Sequence, residues 1–452
     1  MNELFNISPI DGRYHEKTKE LSEYFSEYAL IKYRIFVEIK WLLYLIDKKI
    51  IKEKINDKEK KTILNIIDKF NINDANLVKE IELTTKHDVK ACEYFLQEKF
   101  KENNLVRLIP FIHITLTSED VNNTSYNLMI KDGLKVYLNN LNNLIDKLDE
   151  LTKLYKDVPM LSHTHGQNAT PTTVGKEFLV FSFRLKSIIK LINHLKLRSK
   201  FSGTVGNYNC HVIAYPDVNW IKITEEFINN LDLEYNPVST QIESHDILCI
   251  LLSYIKIVNN IMKDLNSDMW LYISRNYFLE EAKKQEVGSS VMPHKVNPIN
   301  HENSMANIEL SNGLIDALVN NLSISRMQRD LSDSSKLRNL GVIFSHSLIS
   351  IKETIAGLNK IIINKHFLID ELNNHYEVLT EAIQTVLRKN KVHNAYELLK
   401  ELSRGKKIDK DNLVKFIHSL NIDNHDKQRL LALEPTNYLG LINEIIKKNT
   451  DK

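Results

Sequence analysis

Apolar positions recur at three- and four-residue intervals over most of this chain, in stretches free of glycine and proline, which is the signature of amphipathic and buried helices. Leu21–Lys49 reads as one such helix, and Asp57–Phe70 as a second with an aspartate at its start. Pro110 marks a boundary. Beyond Asp120 a mixed polar-apolar run continues to about Tyr155 with the single Gly133 and no proline. A helix of that length, roughly 35 residues, would span ~50 Å. Pro159 ends it. Further helices are predicted over Thr172–Ser199, up to Leu231 after a loop at Phe201–Pro216, to about Ser274 after Pro237, over 299–323 and over 340–363. Shorter ones follow His366, with a turn at Gly405-Lys406-Lys407. No alternating β-branched run is long enough for a large sheet. The predicted fold is all-α in three helical domains: 1–110, a central bundle of very long helices over 111–365, and a small domain over 366–452.

Polar islands punctuate this pattern. Glu286–Glu302, EVGSSVMPHKVNPINHE, gathers Gly288, two prolines, two serines, two histidines and Lys295 in a chain that has only 12 glycines and 9 prolines in 452 residues. Such a loop is either an ordinary turn or a place for binding and chemistry. Asp11-Gly12-Arg13-Tyr14 is a turn that is solvated or holds an anion. Thr84–Lys90 precedes a helix start, so its polar groups cap that helix or favour an anion there. In Leu161–Pro171 two histidines, His163 and His165, flank one threonine, which fits a catalytic loop, metal ligands or structural histidines. Gln241 and His245, four apart, are expected on one helix face. Arg326, Arg329, Lys336 and Arg338, with serines between, form a solvated face or an anion site.

Composition removes several function classes. Lys and Arg number 60 against 58 Asp and Glu, a net charge of +2. That offers no global field for nucleic acid or an anionic membrane. The three cysteines lack CxxC spacing, so neither a disulfide framework nor a zinc knuckle is indicated, and a reducing compartment fits. The N-terminus has no secretory signal pattern. The longest apolar runs, such as Ile247–Tyr254, fall far short of the ~20 residues of a membrane span.

The segment Gly288-Ser289-Ser290-Val291-Met292-Pro293-His294-Lys295-Val296-Asn297-Pro298 resembles the signature loop of the fumarase/aspartase superfamily. Thr164-His165-Gly166-Gln167 resembles its histidine segment. SPIDGRY at 8–14, TTKHDVKA at 84–91, TSEDVNN at 117–123, STQIESHD at 239–246 and SRMQRDLSDSSKLRN at 325–339 are similar to the adenylosuccinate lyase family, in its longer bacterial-type branch. The resemblance covers essentially the whole chain. It implies β-elimination of fumarate from succinylated nucleotides, giving AMP in one case and the aminoimidazole carboxamide ribotide in the other. It also implies a cytoplasmic homotetramer with composite sites, small-molecule nucleotide partners only, and no metal or organic cofactor.

By that resemblance Ser289 is the base, His165 the general acid, and Glu302 the group that orients and charges His165. Lys295 and Asn297, beside Ser290, face the carboxylate whose charge grows. Arg13, Tyr14, Arg329, Ser334 and Arg338 hold phosphate and carboxylates. Lys86, His87, Asp88, Thr117, Ser118, Gln241 and Asn303 complete the substrate shell. The chain departs from the pattern at Lys86, where asparagine is expected, at Asn168, where proline is usual, and at Met327, where an aromatic is expected. A serine base needs a nearby cation and donors that favour its alkoxide, which Lys295 and loop N–H groups can supply. Gly288 gives the loop a point about which to close over substrate.

Overall fold

The structure is a computed structural model that describes residues 3–281, 291–292, 294–403 and 408–450. Gly288, Ser289, Ser290 and the turn expected at 405–407 lie outside those residues. The chain divides into two compact units. The first comprises 1–141, 188–260 and 306–352; the second comprises 142–187, 261–305 and 353–452. Every boundary between them falls inside a helix.

The long helices expected from periodicity are present. Ser118–Leu154 is 37 residues of continuous helix, Asp246–Ser274 is 29, Ile299–Leu322 is 24 and Leu340–Leu358 is 19. The helix predicted from Leu21 is interrupted. Ser26 adopts extended backbone and its Oγ accepts from Ala29 N at 3.1 Å, so it caps a separate helix, Glu27–Asp47. A serine side chain satisfies a free N–H at a helix start better than it serves a helix interior. Asn56 with Glu59, and Asn71 with Asp74, form capping boxes that start Asp57–Asp68 and Ile72–Thr85. The helix expected over 172–199 is Val174–His194, and the one expected to reach Ile363 stops at Leu358, followed by the short strand Ile361–Ile363.

Buried polar layers set the register of these helices. In the first unit, Tyr137 Oη lies 3.0 Å from Ser347 Oγ, Ser347 donates to Asn259 Oδ1 at 2.5 Å, and Asn259 donates to Ser311 Oγ at 3.1 Å. Each group is on a different long helix, and each is buried. Sliding one helix by a turn would strand several of them at about 1–3 kcal/mol apiece. In the second unit Asn266 does the same for Ser304 and Thr354, at 3.2 and 2.8 Å.

Leu161–Pro171, read from sequence as a loop, is instead most of an antiparallel hairpin. Pro159–Thr164 pairs with Gln167–Thr173, with a bulge between Met160 and Ser162. Threonine-rich strands fit a pleated surface, and His165 (φ 54°) and Gly166 (φ 73°) make the left-handed turn between them. Gln241 and His245 do not share a helix face, because helix begins only at Asp246. His245 has φ 62°, a left-handed conformation that cannot continue a right-handed helix.

Candidate active site

In the first unit the predicted binding residues assemble around two charge clusters. His87 caps the Asp88–Glu102 helix, its Nδ1 accepting from Lys90 N at 3.2 Å. Asp88, the first helical residue, receives Arg34 at 2.7 Å and Arg338 at 3.0 Å, and Arg338 also reaches Glu27 at 2.6 Å. Burial raises the Asp88 carboxyl, but the two guanidiniums outweigh it and hold the group below the usual carboxylate range. Arg34 is 1% exposed and one of its nitrogens, Nη1, has no hydrogen-bond partner among the described residues. Arg338 lines a cavity of about 330 Å³ with Ser8, Ile10 and Asp11. Arg13 and Tyr14 follow in the same turn, closed by Gly12 N to Ser8 O at 3.2 Å and Tyr14 N to Pro9 O at 2.8 Å. A cation set of this kind, partly neutralised by carboxylates, suits a phosphate or dicarboxylate.

The second cluster lies at the start of the Ser118–Leu154 helix. Thr117 N donates to Asp120 Oδ2 at 2.9 Å and so precedes the first turn in a fixed position. Buried Glu119 faces Arg329 at 3.5 Å. Arg329 is 4.0 Å from Asp333, whose other oxygen is 3.6 Å from His245 Nε2. The Gln241 segment is tied alongside by Gln241 N to Gln328 O at 3.2 Å. Burial lifts the Glu119 carboxyl above its ordinary value, with Arg329 opposing, whereas for His245 burial is outweighed by Asp333 and Glu243 and its pKa is raised. Ser334 follows Asp333 on the six-residue Ser332–Leu337 helix, its N–H on Asp333 Oδ1 at 2.7 Å. Glu119, Asp333 and Arg34 were missed as candidates, whereas His245 was raised with Gln241 but placed on a helix face. Charged residues at positions the apolar periodicity assigns to the core, such as Arg34 and Glu38 in IKYRIFVEIKW, were the available signal.

Lys86 ends the Ile72–Thr85 helix in a left-handed conformation, φ 53°. That position favours glycine or asparagine, which explains why asparagine is the expected residue there. Lys86→Asn is therefore expected to raise stability by about 0.5–1 kcal/mol, measured as a shift in denaturation midpoint. An unchanged or lowered midpoint would contradict this. Met327, another of the noted departures, is 89% exposed and also left-handed, φ 53°.

In the second unit His165 sits exposed at the hairpin turn. Lys295 is exposed, its N–H on Met292 O at 3.0 Å, and Asn297 accepts through its carbonyl from Ile299 N at 2.8 Å, just before the Ile299–Leu322 helix. Glu302, in the first turn of that helix, accepts from Trp270 Nε1 at 3.1 Å. Among the described residues no hydrogen bond or ion pair joins Glu302 to His165 within one chain. Asn303 is the next residue. Among the described residues, too, no group of three or more His, Cys, Asp or Glu side chains is placed to hold a metal ion, and no helix is long and apolar enough to cross a membrane.

The helix start that carries Glu302 and Asn303 is fixed from beneath by His301. Its Nδ1 is 2.7 Å from Asn266 Oδ1, and its ring lies so close to Gly357 that a Cβ there would meet Cε1 at 2.6 Å. Burial pushes the His301 pKa down to about 4 from 6.5. A lowered folded pKa means that the unfolded state takes up the proton first. The resulting stability is fully present above about pH 6.5 and is lost as pH falls toward 4. In His301→Gln the unfolding free energy should therefore fall less steeply over that range, by up to about 1.4 kcal/mol per pH unit. Equal slopes for both proteins would contradict it.

Comparison with known proteins places these features in a family. Residues 12–309 match the family described as Lyase, and residues 325–439 match Adenylosuccinate lyase C-terminal. The chain is 47% identical over 451 residues to an adenylosuccinate lyase of Buchnera aphidicola subsp. Schizaphis graminum, covering 99% of each protein. It is 44% identical over 444 residues to that of Escherichia coli K12, covering 97% of each. Among solved structures, a fumarate lyase from Mesorhizobium shares the fold, with TM-score 0.76 at 16% identity over 96% of this chain and 97% of that one. With the sequence matched from end to end and the fold shared, the chain belongs to the adenylosuccinate lyase family of the fumarase/aspartase superfamily.

Proposed function

We propose that the protein eliminates fumarate from adenylosuccinate, leaving AMP, and from succinylaminoimidazole carboxamide ribotide, leaving the carboxamide ribotide. The observation that carries this reading is the end-to-end identity of 44–48% to adenylosuccinate lyases, with the motif residues intact within it. Ser289 takes the proton next to the carboxylate, and His165 protonates the departing nitrogen. The carbanion formed between these steps places charge on that carboxylate, which Lys295, Asn297 and Ser290 stabilise. Arg13, Tyr14, Arg329, Ser334 and Arg338 bind phosphate and the second carboxylate. Lys86, His87, Asp88, Thr117, Ser118, Gln241 and Asn303 position the nucleotide.

Three helical domains, 1–110, 111–365 and 366–452, serve these roles in a cytoplasmic homotetramer. Glu302 of one subunit then orients and charges His165 of another. Phe183, Leu191, Ile250, Ile257, Leu271 and Leu310 support assembly, being apolar yet 39–56% exposed on the long helices of a single chain. Light scattering is expected to give four times the 52.6 kDa chain mass, and a fully active monomer would reject the assembly. The activity itself is tested by incubating the purified protein with adenylosuccinate, without added metal, and following fumarate.

A further inference from the structure

The hairpin that presents His165 is held on both of its arms by the stretch 371–381, on the first arm through Tyr277 and on the second directly. On the first arm, His163 Nε2 lies 2.7 Å from Tyr277 Oη, and Tyr277 Oη donates to Glu371. The phenol has one proton and gives it to the carboxylate, so its oxygen accepts from His163, which fixes the Nε2–H tautomer. Tyr277 is 1% exposed. Burial, with Arg275 adding to it, lowers the His163 pKa and favours the neutral ring. On the second arm, Asn168 Nδ2 lies 3.0 Å from His375 Nδ1, itself 2.6 Å from Glu377, and Thr170 donates to Glu381. Beneath the hairpin, Leu161 belongs to the same apolar core as Leu372, Tyr376 and Leu379. His165 and Gly166 alone form the left-handed turn between the two held arms.

We propose that Tyr277, held by Glu371, is a positioning residue for His165: it pins the strand two residues before the turn and so sets where the imidazole stands. The proposal rests on the reading of His165 as the general acid. Misplacing a catalytic group by about 1 Å costs on the order of 10²-fold in rate.

Tyr277→Phe keeps the ring and removes only the oxygen. It is expected to lower kcat about 10- to 100-fold with KM within about twofold. It should also speed amide exchange over residues 162–170 and leave exchange in the Ser118–Leu154 helix unchanged. Because leaving Glu371 unpaired could itself perturb folding, Tyr277→Phe/Glu371→Leu is made alongside and is expected to show the same kcat. The deciding measurement is non-additivity: Tyr277→Phe/His165→Ala should be no slower than His165→Ala alone. Multiplicative losses, or a folded Tyr277→Phe with unchanged kcat, would overturn the proposal. If His165→Ala were itself fully active, the functional reading would fail, while the exchange experiment would still report whether Tyr277 orders the hairpin.

Discussion

Replacing His165 by alanine is expected to slow turnover by about 10²- to 10⁴-fold, the usual worth of a positioned general acid, and Ser289→Ala is expected to do likewise as the base. The nitrogen that departs from a succinylated nucleotide is a poor leaving group as an anion. Without a proton donor the carbon–nitrogen bond breaks slowly however well the substrate is held. His165 suits this role because it is exposed on a tight turn whose two arms are anchored, so the ring is accessible while its backbone is constrained. The binding groups lie elsewhere in the chain, on the turn at 8–14, at the start of the Asp88–Glu102 helix and around Arg329 and Arg338. AMP should therefore bind to both variants within a few-fold of the parent. Pre-steady-state turnover and equilibrium AMP binding separate the two effects. Near-full activity in Ser289→Ala would remove the base assignment, and near-full activity in His165→Ala would remove the acid assignment.

The largest stability loss is expected from Lys200→Met, at about 3–5 kcal/mol. Lys200 Nζ lies 2.7 Å from Asp120 Oδ1, and both side chains are 0% exposed. Asp120 also accepts from Thr117 N at 2.9 Å, Ser202 N at 3.0 Å and Gly203 N at 3.2 Å. The pair thus joins the start of the longest helix to the segment at 200–203, 80 positions away in sequence. Methionine fills similar space but leaves a buried carboxylate without its cation. Because Thr117 is held by the same carboxylate, activity should fall with stability. Asp120→Asn/Lys200→Met should recover part of the loss, since no unpaired charge remains. The measurement is equilibrium denaturation at fixed protein concentration, because assembly shifts apparent stability. A loss below about 1 kcal/mol would mean that the pair contributes no more than an exposed ion pair does.

What could be read from the sequence divides along physical lines. Long helices were legible because a helical face repeats every three to four residues, and Ser118–Leu154 contains no residue that forces a break. The stop at Ser26 was not, because a serine inside a helical pattern becomes a cap only when its neighbours leave the helix. The hairpin at 159–173 was missed because its strands are too short and polar to alternate visibly, and its stability comes from Leu161 packing on residues 372–379. Motif residues such as Arg338 and Asp88 were legible one at a time. Their meeting, together with Arg34, joins positions 54 and 250 apart, and no local pattern encodes such a distance. Gln241 was identified as a candidate, but the left-handed backbone at His245 took it off the expected helix face. The departure at Lys86 gains a physical reason only once its positive φ is seen.

The most direct test of the account is a product assay with the purified protein, no metal added, and three separate substrates. Adenylosuccinate should yield fumarate and AMP in equal amounts, succinylaminoimidazole carboxamide ribotide should yield fumarate and the carboxamide ribotide, and argininosuccinate should yield nothing. Failure to turn over either succinylated nucleotide, or release of arginine from argininosuccinate, would contradict it.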